Sequence, residues 1–186
     1  MALRFSLPRL AQTHHKALIL GAGTAGLPMS HRLARHYQVP NLVGLVEPKS
    51  DHYYQPLWSL VGAGKKDFKN SVQPLSKLLH KSVALYDKKV EKFLPEENCV
   101  VLDNGDKISY DTLVVALGID LKFGLTKGLE EAFSHGSQNA PGLCTNYSPD
   151  ICQKTWSDLQ TLVEKAKNLP ENDQSKKLTV FAIKVN

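Results

Sequence analysis

The hexapeptide Gly21-Ala22-Gly23-Thr24-Ala25-Gly26 limits this chain more than any other stretch does, because it fits G-x-G-x-x-G between an apolar run and a helix-length segment. Residues 16–20 (KALIL) and 42–46 (LVGLV) read as strands, and residues 24–37 between them read as a helix. On that helix Leu27, Ser30, Leu33, Ala34 and Tyr37 recur at helical spacing, so one face packs on a sheet. Pro28 stands in the first turn, where a missing N–H costs little. Each glycine has a task in such a unit. Gly21 permits the tight turn, Gly23 lets the backbone approach an anion, and Gly26 lets helix and strand pack closely. Free N–H groups and the helix dipole favour a pyrophosphate there.

A hexapeptide of this kind is weak alone, since glycine-rich turns serve many loops, but its context strengthens it. Glu47 lies 21 residues after Gly26, at the end of the second predicted strand. A carboxylate there accepts hydrogen bonds from the adenosine ribose and repels a 2′-phosphate, which disfavours NADP. FAD and NAD both satisfy the pattern.

The remainder of the chain bears on that choice. Residues 50–70 are rich in Tyr, Pro, Gly and Trp without a clean period and read as a long irregular excursion. Residues 74–80 suit a short helix. Residues 83–86, 90–94, 100–102 and 107–109 read as brief strands of a small antiparallel meander, with turn chemistry at 95–98 and 103–106. Residues 111–117 (DTLVVAL) read as a buried strand returning to the parallel sheet and stopped by Gly118. Residues 149–167 carry a helical apolar spacing with Ser148 as cap, and 178–185 (LTVFAIKV) read as a final strand. The expected fold is α/β: a Rossmann-like domain whose parallel sheet carries an inserted antiparallel meander, with a second nucleotide-binding domain cut short. The expected boundaries are 1–15 for a leader, 16–147 for the first domain and 148–186 for the start of the second.

Composition excludes several classes. The net charge is +5, yet Lys and Arg are interspersed with acids instead of forming a stripe, which argues against nucleic acid. No apolar run approaches the roughly 18 residues a membrane span needs. Cys99, Cys144 and Cys152 form no CxxC pair, and the seven histidines show no ligand or triad spacing, so no metal site is expected and the histidines read as surface or loop residues, His52 being the only one near the expected site. Three cysteines without a framework suit a reducing compartment. The first acid is Glu47, and the opening fifteen residues carry Arg4 and Arg9 among leucines, a composition that suits a mitochondrial targeting peptide.

The meander followed by a strand and the Ala116-Leu117-Gly118 turn resembles the FAD domain of the disulfide-reductase-like flavoproteins. Glu47-Pro48, then residues 52–64 (HYYQPLWSLVGAG), are more particular, as are ISY at 108–110, VVALGI at 114–119, KGL at 127–129, NYS at 146–148 and KTW at 154–156. Over residues 16–180 the chain resembles the sulfide:quinone oxidoreductase family, mitochondrial type. The resemblance implies FAD as cofactor, with Thr24 and Ala25 at the pyrophosphate, Glu47 at the ribose, Gln55 on the flavin side, Val90 on the adenine side, and Ala116 and Gly118 near the cofactor. It also implies oxidation of hydrogen sulfide through cysteine chemistry, electron transfer through FAD to ubiquinone, and peripheral contact of the full-length protein with the mitochondrial inner membrane.

The family's redox cysteines have no counterpart here, so the chain reads as a fragment not catalytic alone. Cys144 stands where bacterial relatives carry a cysteine and is the one sulfur-handling candidate, whereas Cys99 and Cys152 read as small core hydrophobes. Two alternatives stay open. One is a non-catalytic FAD-binding module, and the other is an NAD-binding dehydrogenase domain.

Overall fold

The computed structural model describes residues 13–134, 142–171 and 173. Strand β1 (Thr13–Leu20) has residues 17–20 all buried, and β2 (Val43–Val46) is buried throughout. Continuous apolar runs of this kind form strands covered on both faces. Between them α1 (Gly26–Tyr37) buries Gly26, Leu27, Ser30 and Ala34.

The excursion at 50–70 is built of short pieces. These are β3 (Asp51–Tyr53), a 3-10 turn at Gln55–Leu57, α2 (Trp58–Gly62) and a second 3-10 turn at Phe68–Ser71. Strand β4 (Val72–Pro74) pairs antiparallel with β3, and α3 (Leu75–Leu78) follows. Then come β5 (Val83–Tyr86), β6 (Val90–Leu94), β7 (Cys99–Leu102) and β8 (Lys107–Val115).

Six strands share one sheet in the order β5-β2-β1-β8-β7-β6. Strand β1 runs parallel to β2, with Ala17 opposite Val43, and parallel to β8, with Leu20 opposite Val115. Two details differ from the sequence reading. Residues 83–86 are not part of the meander: β5 pairs parallel with β2, Val43 opposite Val83. The expected strands at 107–109 and 111–117 are not separate but form the single strand β8, which ends at Val115; its first residues pair antiparallel with β7 while its length runs along β1. The meander is therefore an extension of the main sheet.

Leu27 and Ala34 of α1, with Leu75 of α3, cover Ile19, Val43, Leu45 and Val83 in one core cluster. A second cluster gathers Leu18, Leu20 and Val46 with Val100, Leu102, Ile108 and Tyr110. The histidine reading also needs correction. His15 lies inside β1 with only 1% of its surface exposed, and burial lowers its pKa.

The chain divides into two compact units, Met1–Tyr53 with Val72–Ile119, and Tyr54–Ser71 with Asp120–Asn186. In the second unit, α4 (Leu129–Ser134) precedes α5 (Pro149–Lys167). Trp58 on α2 is buried and donates through its indole N–H to Ser71 Oγ at 3.1 Å, and α2 packs on α5. The expected strand at 178–185 and residues 1–12 of the expected leader lie outside the described residues, while Thr13, His14 and His15 open β1. Among the described residues no helix is long and apolar enough to cross a membrane.

Candidate functional site

Strand β1 ends at Leu20, and the chain turns at Gly21 with φ +95°, a left-handed conformation that a side chain strains to adopt. The Gly21 N–H donates to Val46 O at 2.8 Å, tying the turn to the end of β2. A Cβ at Gly21 would overlap the Ala116 carbonyl oxygen, and a Cβ at Gly26 would overlap the Gly21 carbonyl oxygen. Turn, helix start and the end of β8 thus meet at a spacing that only glycine permits. Ala116 closes the contact from the third side, its N–H donating to Leu20 O at 2.8 Å.

Gly23 differs from its neighbours. A Cβ there meets nothing within 4 Å, and Gly23, Thr24 and Ala25 are all exposed. Helix α1 begins with no side-chain cap and no acid in its first turn. Among the described residues no acceptor pairs with the N–H groups of Gly23, Thr24 and Ala25. Open N–H donors at the positive end of a 12-residue helix form a cradle for an anion.

Glu47 follows β2, and its carboxylate turns toward this cradle. Oε2 accepts the Ala22 N–H at 2.9 Å, and Oε1 accepts the Lys49 N–H at 2.9 Å. A carboxylate has about four lone-pair sites, so two backbone donors leave capacity for two hydroxyls. His52 on β3 reaches the same turn, with Nδ1 at 2.8 Å from Ala22 O. Nothing in the sequence reading singled out that contact.

Gly118 has φ +77° and open space where a Cβ would be. Val90 begins β6 at the sheet edge and packs against the second core cluster instead of lying in the glycine turn. Gln55 lies in the second unit, half-buried on its 3-10 turn. Cys144, also in the second unit, is half-buried ahead of α5. The stretch before it is held to α5, where Asp158 accepts the Gly142 N–H at 2.9 Å and Lys154 donates to Leu143 O. All three cysteines are free thiols; burial pushes the pKa of Cys99 and Cys152 up. Among the described residues no group of three or more His, Cys, Asp or Glu side chains is placed to hold a metal.

The residues present fit the ADP half of FAD: an open N–H cradle at a helix start, a side-chain-free approach at Gly23, and a carboxylate with spare acceptors beside it. The family model described as pyridine nucleotide-disulphide oxidoreductase matches residues 15–146. The mitochondrial sulfide:quinone oxidoreductase of Mus musculus is 39% identical over 154 residues, covering 83% of this chain and 33% of that protein. Its counterpart in Dictyostelium discoideum is 36% identical over 79% of this chain and 31% of the relative. The crystal structure of the sulfide:quinone oxidoreductase from Aquifex aeolicus superposes with TM-score 0.61 at 23% identity, over 81% of this chain and 32% of that one. The chain spans about a third of the length of the curated relatives it matches. A βαβ unit with open N–H groups at its helix start and the Glu47 carboxylate beside them, matched along residues 15–146, makes this chain a member of the pyridine nucleotide-disulphide oxidoreductase family, with sequence similarity to its sulfide:quinone oxidoreductases.

Proposed function

We propose that the glycine turn and Glu47 hold the ADP half of FAD, and that the chain supplies the FAD-binding portion of a sulfide:quinone-type oxidoreductase, with sulfide as donor, ubiquinone as acceptor and a mitochondrial location. The observation that carries this reading is the Glu47 carboxylate, bonded to the Ala22 N–H of a turn whose next N–H groups stand open. Gly23, Thr24 and Ala25 present backbone donors to the pyrophosphate. Glu47 accepts the ribose hydroxyls, and its charge disfavours a 2′-phosphate. Gly21, Gly26 and Ala116 keep the helix start against the sheet so that those donors stay aimed. Val90, Gln55 and Gly118 belong to the adenine and flavin sides in this reading. When bound, FAD supplies two-electron redox chemistry, and the protein supplies binding and orientation.

Reconstitution with FAD tests the proposal. The purified chain is expected to retain a flavin spectrum between about 350 and 500 nm after desalting. Glu47→Ala is expected to weaken FAD binding by about tenfold or more, the scale of one charge-assisted hydrogen bond. A colourless wild-type protein overturns the cofactor assignment, and NAD binding that FAD does not displace favours a dehydrogenase domain instead.

A second reading, an FAD-holding module without sulfide turnover, is favoured by the burial of Cys99 and Cys152 as free thiols, which leaves only Cys144 near solvent. Anaerobic assay of sulfide-dependent reduction of a ubiquinone analogue separates the two. Turnover rules the inert module out.

A further inference from the structure

The Ala22–Gly23 peptide carries the first open N–H of the cradle, and its orientation is set by one side chain thirty residues away. His52 Nδ1 lies 2.8 Å from Ala22 O. A carbonyl oxygen only accepts, so Nδ1 carries the proton and donates. In a planar trans peptide the carbonyl of one residue and the N–H of the next point in opposite directions. Holding Ala22 C=O toward β3 therefore turns the Gly23 N–H away from β3, where no acceptor among the described residues takes it.

The preceding peptide is fixed by the same geometry. Glu47 Oε2 takes the Ala22 N–H, so the Gly21 carbonyl points the other way, toward Gly26, where a Cβ would overlap it. Two consecutive peptides of the turn are thus each locked by a side chain, one carboxylate and one imidazole. Glycine at Gly23 leaves that peptide free to rotate, because no Cβ opposes the flip. A flipped Ala22–Gly23 peptide would present a carbonyl oxygen, not an N–H, to the bound anion.

We propose that His52 is a positioning residue for dinucleotide binding: its Nδ1–H holds the Ala22–Gly23 peptide in the orientation that aims the Gly23 N–H at the pyrophosphate. This rests on the dinucleotide reading of the glycine turn and adds to it the residue that sets its donor geometry. His52 touches no part of the dinucleotide in this role; it acts through the backbone.

The test compares ADP with adenosine as ligands of the full chain, by calorimetry, in wild type, His52→Asn and His52→Leu. Asn places an amide N–H where the imidazole Nδ1–H stood, and Leu fills similar space without a donor. His52→Leu is expected to weaken ADP by about tenfold while changing adenosine less than twofold, since adenosine lacks the pyrophosphate; His52→Asn is expected to restore ADP binding to within about threefold of wild type. The Gly23 amide resonance, which shifts on ADP addition in wild type, is expected to lose that shift in His52→Leu. Equal loss of ADP and adenosine binding, or no rescue by Asn, overturns the inference and marks His52 as structural only. Unchanged ADP binding in His52→Leu overturns it as well. Failure of wild type to bind ADP is a different outcome, since it overturns the dinucleotide reading itself. If His52→Leu does not fold, the amide shift and ADP affinity of His52→Gln, whose longer amide misplaces the donor, carry the same comparison, and wild-type affinity there overturns the proposal.

Discussion

Gly26 and Gly23 are three positions apart in one motif, and a methyl group would affect them in opposite ways. At Gly26 the added carbon falls on the Gly21 carbonyl oxygen, which is backbone, and would lie 3.3 Å from the Ala116 methyl. Helix α1 must then move off β1. Gly26→Ala is expected to cost about 1–3 kcal/mol of stability, the usual scale of overpacking, read as a lower urea midpoint at unchanged slope. At Gly23 the carbon enters open space, and the backbone there is not in the left-handed region. Gly23→Ala is expected to leave the unfolding free energy within about 0.5 kcal/mol of wild type. The same methyl group stands where the phosphates approach, so FAD affinity falls. A Gly23→Ala variant that binds FAD as wild type does would show that the anion does not lie against this turn.

At the scale of elements, β1 carries a titratable group in the sheet. His15 donates from Nδ1 to the carbonyl of Asn41 at 2.7 Å, so its Nε2 accepts from Tyr86 Oη at 2.6 Å. Gly44 on β2 makes room for it, since a Cβ there would lie 2.6 Å from the imidazole ring. Burial lowers the His15 pKa, His14 lowers it further by repulsion, and the Asn41 bond opposes them. The unfolded chain takes up the proton near pH 6.5, before the folded one does, so the unfolded state binds more protons below that pH. Stability is expected to hold above about pH 6.5 and to fall below it, by up to about 1.4 kcal/mol per pH unit from this group. Urea midpoints from pH 8 to 5 check this, and His15→Gln is expected to flatten the fall. A His15→Gln profile parallel to wild type would assign the acid sensitivity elsewhere. Local signals made part of this architecture legible. The β1-turn-α1 unit and the approach of Glu47 to it follow from a hexapeptide, two apolar runs and a helical spacing. Parallel pairing of β5 with β2 is set by distant register, which a four-residue apolar run does not encode. The joining of 107–109 with 111–115 depends on β1 lying alongside both. The burial of His15 and the bond that His52 makes are not legible in the sequence, because a lone histidine has no periodic signature, and their partners, Tyr86 and Ala22, lie 71 and 30 residues away.

For the whole molecule, three thiols divide between the two compact units and report on each. Cys99 on β7 is buried in the first unit, Cys152 on α5 is buried in the second, and Cys144 alone is half-exposed. Burial raises the pKa of both buried thiols, which lowers their thiolate fraction and so their reactivity toward a disulfide reagent. In native buffer Cys144 is expected to react first, with Cys99 and Cys152 following only as their own unit opens; in denaturant all three react at once. The proposed dinucleotide contacts at Gly23, Thr24, Ala25 and Glu47 all belong to the unit that contains Cys99. A ligand that binds only the folded state stabilises it by about 2.7 kcal/mol at a hundredfold excess over its Kd. FAD at that excess is therefore expected to slow Cys99 labelling by about 100-fold where opening of that unit limits access. Peptide mapping of the labelled protein assigns each rate to its cysteine. A Cys99 rate indifferent to FAD, in a protein that retains the flavin spectrum, would place the bound flavin away from the glycine turn.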